Sequence, residues 1–261
     1  MELGLKGKRA FVGGASTGLG AAAAMELAAE GAEVVICSRS KDNLVETAET
    51  IKTATGNEPS VIVADLTSTS DLERLCSEVK KRRIDILVSN GGGPPAGQFV
   101  DLKPETWDEA AGLLLRPAVK LTRAAIDGMI ERKFGRLIYV TSIAVLQPVN
   151  NLILSNTYRA GVTAFCKTVS NNYARHGITA NCVCPGYTAT ERLTDLAEHM
   201  AEAEGVTVDD IMERFAVSTS AGRVGKPEEL AALIAFLAGD KAAYITGCSI
   251  PVDGGANKAL I

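Results

Sequence analysis

The sequence predicts an α/β protein with one doubly wound sheet of about seven parallel strands, flanked by helices on both faces. Apolar strand-like runs alternate with helical stretches along all 261 residues, which is typical of βαβ units. The runs are apolar throughout, as expected for strands that are buried on both faces of a parallel sheet. No linker, repeat or low-complexity block divides residues 1–261, so we expect a single domain.

Each predicted element follows from its length and its pattern of apolar residues. Short runs predict strands at 8–13 (KRAFVG), 33–38 (EVVICS), 60–64, 84–89 (IDILVS), 136–142, 178–184 (ITANCVC) and 246–252. Longer stretches between them predict helices at 18–30, 41–54, 70–81, 104–132, 152–175, 191–216 and 227–238. Ser70 or Thr69 is the expected cap of helix 70–81, and Pro117 favours a kink in helix 104–132.

Composition and charge argue against several kinds of partner. Hydrophobic residues make up 46% and charged residues 22%, which is typical of a globular protein. The net charge is −4 and the basic residues are scattered, so we expect no nucleic-acid partner. The apolar stretches are too short to span a bilayer, which needs about 20 residues, and the N-terminal segment lacks a signal-peptide pattern. We therefore expect no membrane partner and a cytoplasmic location. The cysteines and histidines show no metal-ligand spacing, so we predict no metal site.

A glycine-rich segment joins the first predicted strand to the first predicted helix. Gly14 can adopt a positive φ in a tight turn, Gly18 lets the backbone approach a pyrophosphate, and Gly20 lets the helix pack closely on the strand. The helix would direct its N-terminal N–H groups and its positive dipole end at the phosphates. In this strand–helix context the segment predicts a dinucleotide site rather than an ordinary turn.

The spacing Gly14-x3-Gly18-x-Gly20 resembles the fingerprint of the short-chain dehydrogenase/reductase family, and further motifs of that family follow along nearly the whole chain. These motifs are Ala64–Thr67, Ser89–Gly92, Asn181, Pro185–Gly186, Gly222–Arg223 and Asp253–Gly255. The chain also resembles a 3-oxoacyl-acyl-carrier-protein reductase-like subgroup. The resemblance implies a Rossmann domain, an NAD(P) cofactor and a homo-oligomer, either a tetramer or a dimer. The cofactor-binding residues that it implies are Gly14, Ser16, Thr17, Gly18, Leu19, Gly20, Ser38, Arg39, Asp65, Leu66, Asn90, Gly91, Gly92, Arg159, Pro185, Gly186, Thr188 and Thr190.

The end of the second predicted strand bears on the choice of cofactor. A carboxylate there would bond the ribose 2′-hydroxyl of NAD(H), whereas an arginine accommodates the 2′-phosphate of NADP(H). The strand ends in Cys37–Ser38–Arg39, with no acid at position 38. We therefore favour NADP(H) over NAD(H), and the alternative for Arg39 is a solvated surface charge.

The catalytic residues that the resemblance implies are only partly present. None of the five tyrosines is followed by a lysine four residues later, which is the family's usual pair. An ungapped alignment of the flanking motifs puts Ser142, Ser155 and Arg159 at the positions of the family's serine, tyrosine and lysine, and Leu114 near that of its helix asparagine. A serine hydroxyl is a much weaker acid than a phenol. Arg159 keeps a positive charge and can hold the nicotinamide ribose.

Three other features are expected near the substrate pocket. Tyr158, three residues after Ser155, is either the acid–base group or an aromatic that packs at an interface. The loop Gly91–Pro95 is either a wall of the substrate pocket beside the nicotinamide or simply a long connection. Segment 187–225 resembles the family's substrate lid, although its acidic residues are also typical of a solvated helix face.

Together these features predict an NADP(H)-dependent oxidoreductase that acts on a carbonyl/alcohol pair. The expected substrate is a small-molecule carbonyl or an acyl thioester, such as a 3-oxoacyl thioester. One alternative is an NADP(H)-binding protein without turnover, serving as a sensor or a partner subunit. Another is a different reaction on the same scaffold, such as dehydration or epimerisation. Helices 104–132 and 152–175 are the expected contacts of the oligomer.

Overall fold

One sheet of parallel strands organises the computed structural model, which describes residues 2–259. In chain order the strands are β1 (Arg9–Gly13), β2 (Glu33–Ser38), β3 (Ser60–Val63), β4 (Ile86–Ser89), β5 (Gly135–Val140), β6 (Ile178–Pro185) and β7 (Ser249–Val252). Their order across the sheet is β3-β2-β1-β4-β5-β6-β7, and all neighbours are parallel. The prediction of a doubly wound sheet of about seven parallel strands is confirmed. The strand order changes direction between β1 and β4, where such sheets bind ligands.

Helices cover both faces of the sheet and bury a separate apolar core on each face. Within the described residues the α-helices are α1 (Gly18–Ala29), α2 (Lys41–Thr55), α3 (Thr69–Lys81), α4 (Pro104–Leu113), α5 (Leu115–Arg132), α6 (Ile153–Tyr173), α7 (Glu191–Glu204), α8 (Val208–Ser218) and α9 (Pro227–Ala238). The first core lies under α1, α2 and α9 and the second under α3, α5 and α6. Val12 of β1 faces the first core and its neighbour Phe11 faces the second. Such double burial explains why the central strands β1, β4, β5 and β6 are largely apolar, while the edge strands β3 and β7 are more exposed.

The prediction of one helix over 104–132 is wrong, because two helices meet at Leu114. Pro117 lies in the first turn of the second helix, where the backbone N–H that proline lacks would have no helical partner. Leu114 keeps a right-handed helical conformation and its N–H still bonds the carbonyl oxygen of Ala110, so the expected kink occurs as a break about one turn before the proline.

The stretch 191–216, predicted to be helical, is helical but consists of two helices rather than one. Gly205 ends α7 in the left-handed region at φ +68°, and Thr207 begins α8 with a capping box that Asp210 completes. These helices form a small apolar core of their own, centred on Ala197, Ile211 and Phe215.

The cap of α3 lies earlier than either predicted residue. The hydroxyl of Ser68 accepts a hydrogen bond from the backbone N–H of Asp71 at 3.4 Å, while Thr69 and Ser70 are already helical. None of the helices that the structure describes is both long and apolar enough to cross a membrane.

Candidate active site and cofactor site

The glycine-rich segment forms a tight cradle between β1 and α1. Gly14 and Gly18 adopt φ values of +57° and +55°, which residues with a side chain rarely adopt. A Cβ on Gly20 would overlap the carbonyl oxygen of Gly14, so only glycine lets α1 approach this loop so closely. Thr17 occupies the N-cap of α1 without a side-chain cap, which leaves backbone N–H groups of the first turn available to a phosphate. These features fit a dinucleotide pyrophosphate.

Asn90, at the end of β4, fastens this cradle to the neighbouring strand. Its side-chain amide donates hydrogen bonds to the carbonyl oxygens of Gly13 at 3.2 Å and Gly14 at 3.3 Å. On the other side, the Thr47 hydroxyl of α2 donates to the Ser16 carbonyl at 2.9 Å. The glycine-rich segment is therefore held from two sides. Asn90 also directly precedes the loop Gly91–Pro95 in the chain.

The ends of β2 and β3 form the region predicted to receive the adenosine. Ser38 lies half-buried and its hydroxyl accepts the backbone N–H of Ser40 at 3.2 Å. Arg39 is exposed, and within residues 2–259 it makes no ion pair. Asp65 accepts hydrogen bonds from both the backbone and the hydroxyl of Thr67 at 2.8 Å through one carboxylate oxygen, Oδ1. The other carboxylate oxygen of Asp65 is left for a ligand.

Arg159 binds the backbone at the end of β5, next to Ser142 in the chain. The Ser142 hydroxyl accepts the backbone N–H of Ala144 at 3.1 Å. Arg159, reaching across from α6, donates through Nη1 to the carbonyl oxygens of Val140 and Thr141, both at 2.9 Å. The cation is thus bound to the residue that directly precedes Ser142.

Arg159 is almost completely buried, with 9% of its surface exposed. Its Nη2 group donates to the carbonyl oxygen of Gly92 at 3.1 Å. Burial, and to a lesser degree the nearby charge of Arg192, lowers the pKa of Arg159 to about 10. This value is still well above neutral pH, so Arg159 remains a cation.

The other predicted catalytic residues lie on the same helix. Ser155 is buried on α6 one turn before Arg159, so the two side chains share a face of the helix. Tyr158 is half-buried, and its ring packs edge-to-face on Trp107 with 6.2 Å between centroids. Trp107 in turn contacts Phe99 in the same manner at 6.0 Å. This aromatic cluster favours the packing interpretation of Tyr158. Leu114 is buried at the junction of α4 and α5.

The segment that follows β6, residues 186–190, also approaches the cradle between β1 and α1. Thr188 is buried and pairs with Gly225 through a parallel β-bridge, which ties this segment to the Gly222–Arg223 motif region. The Thr190 methyl group lies so near Gly18 that a Cβ there would approach it to 3.2 Å. A Cβ on Gly186 would lie 2.7 Å from that of Asp253, so the Pro185–Gly186 turn packs directly on the C-terminal motif.

Sequence reasoning missed Arg192, near the start of the segment 187–225 that was expected to form a lid. Its guanidinium donates to the carbonyl oxygens of Gly93 at 3.2 Å and Pro94 at 3.1 Å. A single arginine at the start of an acidic stretch was the available signal, but only the fold brings it to a loop about 100 residues earlier. Among residues 2–259 no group of three His, Cys, Asp or Glu side chains is placed to hold a metal ion.

Comparisons with known proteins agree with this geometry. A family model described as enoyl-(acyl carrier protein) reductase matches residues 14–257. The 3-oxoacyl-[acyl-carrier-protein] reductase FabG of Haemophilus influenzae is 32% identical over 255 residues, covering 96% of this chain and 98% of that protein. The NADPH-dependent reductase BacG of Bacillus subtilis is 32% identical over 257 residues, covering 97% and 99%. The crystal structure of L-sorbose reductase from Gluconobacter frateurii, complexed with NADPH and L-sorbose, is 30% identical with a TM-score of 0.94 and covers all of both chains.

Proposed function

Because the chain belongs to the short-chain dehydrogenase/reductase family, a family of oxidoreductases, we propose that it uses NADP(H) to interconvert a carbonyl and an alcohol. The observation that carries this proposal is the hydrogen bond from Arg159 to Thr141, which holds a permanent cation beside Ser142. A 3-oxoacyl thioester is one substrate class to test, since the Haemophilus influenzae relative is a 3-oxoacyl-[acyl-carrier-protein] reductase.

The cofactor preference rests on charge at the end of β2. Arg39 is exposed there and free of ion pairs in the described part of the chain, so its guanidinium is available to a 2′-phosphate. Two of the similar proteins are a reductase called NADPH-dependent and a reductase crystallised with NADPH. Both observations favour NADP(H) over NAD(H).

Ser142 would polarise the carbonyl group of the substrate. A serine hydroxyl has one donor and two acceptor positions. The backbone N–H of Ala144 occupies one acceptor position, which orients the hydroxyl and leaves its donor for a substrate oxygen. NADPH, when bound, supplies the hydride for the carbonyl carbon. The charge on the oxygen grows as this occurs, and a preoriented donor stabilises it more strongly in the transition state than in the ground state.

Arg159 would contribute to the same charge stabilisation and to holding the nicotinamide ribose. Arginine has five N–H donors, of which three are used by the carbonyl oxygens of Val140, Thr141 and Gly92. Two donors are therefore left for ligands. Ser155, one turn earlier on the same helix face, would pass a proton from solvent water to the alkoxide.

A second candidate function is NADP(H) binding without turnover, as in a sensor or a partner subunit. The same hydrogen bonds favour it, since Arg159 spends most of its donors on the backbone and so also has a structural role. Here the replacement of the family's tyrosine by Ser155 would have removed the chemistry and left the cofactor site intact.

One set of measurements separates the two functions. NADPH binding is measured by calorimetry, and NADPH oxidation is followed at 340 nm with ketones, oxo acids and 3-oxoacyl thioesters. We expect both binding and turnover, with Ser142→Ala lowering kcat about 100-fold or more and leaving NADPH affinity unchanged. Binding without oxidation of NADPH by any substrate would support the second function, and absence of binding would contradict both.

A further inference from the structure

Two arginines from different helices approach the Gly91–Pro95 loop, and we call them the arginine pair. Arg159 of α6 donates to the carbonyl oxygen of Gly92, and Arg192 of α7 donates to those of Gly93 and Pro94. The two guanidinium groups thus bind consecutive residues, and the charge of Arg192 helps to lower the pKa of Arg159. Arg159 is buried at the base of this site, whereas Arg192 is exposed at its mouth.

The arginine pair has no counter-ion in the described residues. Neither guanidinium lies within 4.0 Å of a carboxylate, although Asp195 acts on Arg192 from one turn further along α7. The thiol of Cys184 lies near Arg159, but burial raises its pKa to about 11, so it is neutral at physiological pH. A buried cation without an anion is costly, and a second cation beside it adds repulsion. Negative charge supplied by a ligand would remove both costs.

The loop is shaped to receive a guanidinium group. A Cβ on Gly93 would overlap the guanidinium of Arg192, so this arginine can lie here only because residue 93 has no side chain. Arg192 uses two of its five N–H donors on the loop, and Arg159 uses three. Donors of both arginines are therefore available to a ligand.

The arginine pair also adjoins the place where the chemistry would occur. Arg159 is bonded to Thr141, the neighbour of Ser142, and it shares the Gly91–Pro95 loop with Arg192. The pyrophosphate of the cofactor fits the cradle at the start of α1, which Asn90 fastens to the end of β4 and which Thr190, two residues before Arg192, approaches at Gly18. Binding at the arginine pair is therefore tested with the cofactor bound, so that the cofactor phosphates are already in place.

We propose that the arginine pair is an anion subsite of the substrate pocket, and that the substrate is a small carbonyl compound that carries a carboxylate. Carboxylate is favoured because its two oxygens match the planar donor fork of arginine. This inference rests on the proposed function, since it places the reacting carbonyl at Ser142, and it makes Arg192 a residue that determines specificity.

The test measures binding without turnover. The protein is saturated with NADP+, which cannot reduce a ketone, and titrated by calorimetry with pyruvate, acetoacetate and levulinate and with the methyl ester of each. We expect at least one acid to bind about 10- to 100-fold more tightly than its ester, the range given by one or two charge-assisted hydrogen bonds. Arg192→Gln should abolish this difference and Arg192→Lys should retain part of it.

Arg214→Gln is the matched control. Arg214 belongs to the same lid but is ion-paired to Glu204, so its loss should leave the preference for acids unchanged. NADPH affinity and the thermal unfolding midpoint of each variant report whether the fold is intact. Equal binding of acid and ester in all three pairs, or an unchanged preference in Arg192→Gln, would overturn the proposal. Tighter binding of glycerone phosphate than of every acid would overturn the assignment to carboxylate.

Steady-state kinetics distinguish failure of this inference from failure of the proposed function. If the arginine pair binds the substrate carboxylate, Arg192→Gln raises KM for the acid much more than it lowers kcat, and it raises KM for the acid much more than KM for neutral ketones, whereas Arg214→Gln changes neither KM. Turnover of neutral ketones with no advantage for acids would overturn the inference and leave the oxidoreductase assignment in place. Acid-selective binding with no oxidation of NADPH would support the anion subsite and contradict the proposed reaction.

Discussion

Replacing Gly20 by alanine tests whether the close approach of α1 to the glycine-rich loop creates the phosphate site. The new Cβ would overlap the carbonyl oxygen of Gly14 and lie 2.9 Å from the Cα of Ala15. Both are backbone atoms, so α1 or the loop has to shift. Such overpacking costs about 1–3 kcal/mol, against which alanine gains about 0.5–1 kcal/mol over glycine within a helix.

The effect on cofactor binding should exceed the effect on stability. A shift of α1 moves its N–H groups away from the phosphates, and the loss of one charge-assisted hydrogen bond costs about 1.5–3 kcal/mol. NADPH should therefore bind about 10- to 150-fold more weakly, as measured by calorimetry. The matched control is Gly161→Ala, because Gly161 also lies in a helix but its added Cβ would meet only Leu115, at 3.7 Å. The control should be slightly more stable, with unchanged NADPH affinity. If Gly20→Ala behaves in the same way as the control, the reasoning about the cradle is wrong.

Three other variants or conditions test separate parts of the site. Arg39→Asp should weaken NADPH binding about 10- to 100-fold and improve NADH binding, and equal NADPH affinity in calorimetry would show that Arg39 is a surface charge. Tyr158→Phe should keep kcat/KM within about 2-fold because its ring packs on Trp107, whereas a loss of about 100-fold would identify Tyr158 as the acid–base group. Burial raises the pKa of Cys37 from its unfolded value near 9 to about 12, so this thiol stabilises the fold below pH 9 and the benefit is lost as pH rises toward 12. Urea unfolding at pH 8 and pH 10 should therefore show a falling midpoint, and Cys37→Ala should make that fall smaller.

The sheet and most of its helices could be predicted because their signal is local. Each strand is an apolar run of the right length, and burial in two separate cores keeps both sets of alternating side chains apolar, as with Phe11 and Val12. The break between α4 and α5 at Leu114 was harder to predict. The sequence shows that Pro117 disturbs a helix, but it does not show where the helix is interrupted. The end of α7 at Gly205 was also hard to predict, because a glycine within a polar stretch can be tolerated inside a helix. Only the structure shows that Gly205 adopts a left-handed φ and ends the helix.

The individual motifs of the candidate site could be predicted from the sequence, but the contacts between them could not. The positions of Ser142, Ser155 and Arg159 follow from spacing, yet the sequence does not show that Arg159 binds backbone carbonyl oxygens. Arg192 gave no distinctive pattern, because an arginine among acids on a helix is most often a solvated residue. Its contact with Gly93 depends on how the lid returns over the sheet, which is a property of the tertiary structure.

The position of Asn90 has a consequence for the order in which ligands bind. Its side chain holds the carbonyl oxygens of Gly13 and Gly14 in the phosphate cradle, and the next residue along the chain begins the loop that the arginine pair contacts. A cofactor bound in the cradle would therefore also restrain one end of the loop that is proposed to line the substrate pocket. A substrate that arrived first would meet this loop without the additional restraint that a bound cofactor provides. This geometry favours a sequential mechanism in which the dinucleotide enters before the carbonyl compound and leaves after the alcohol.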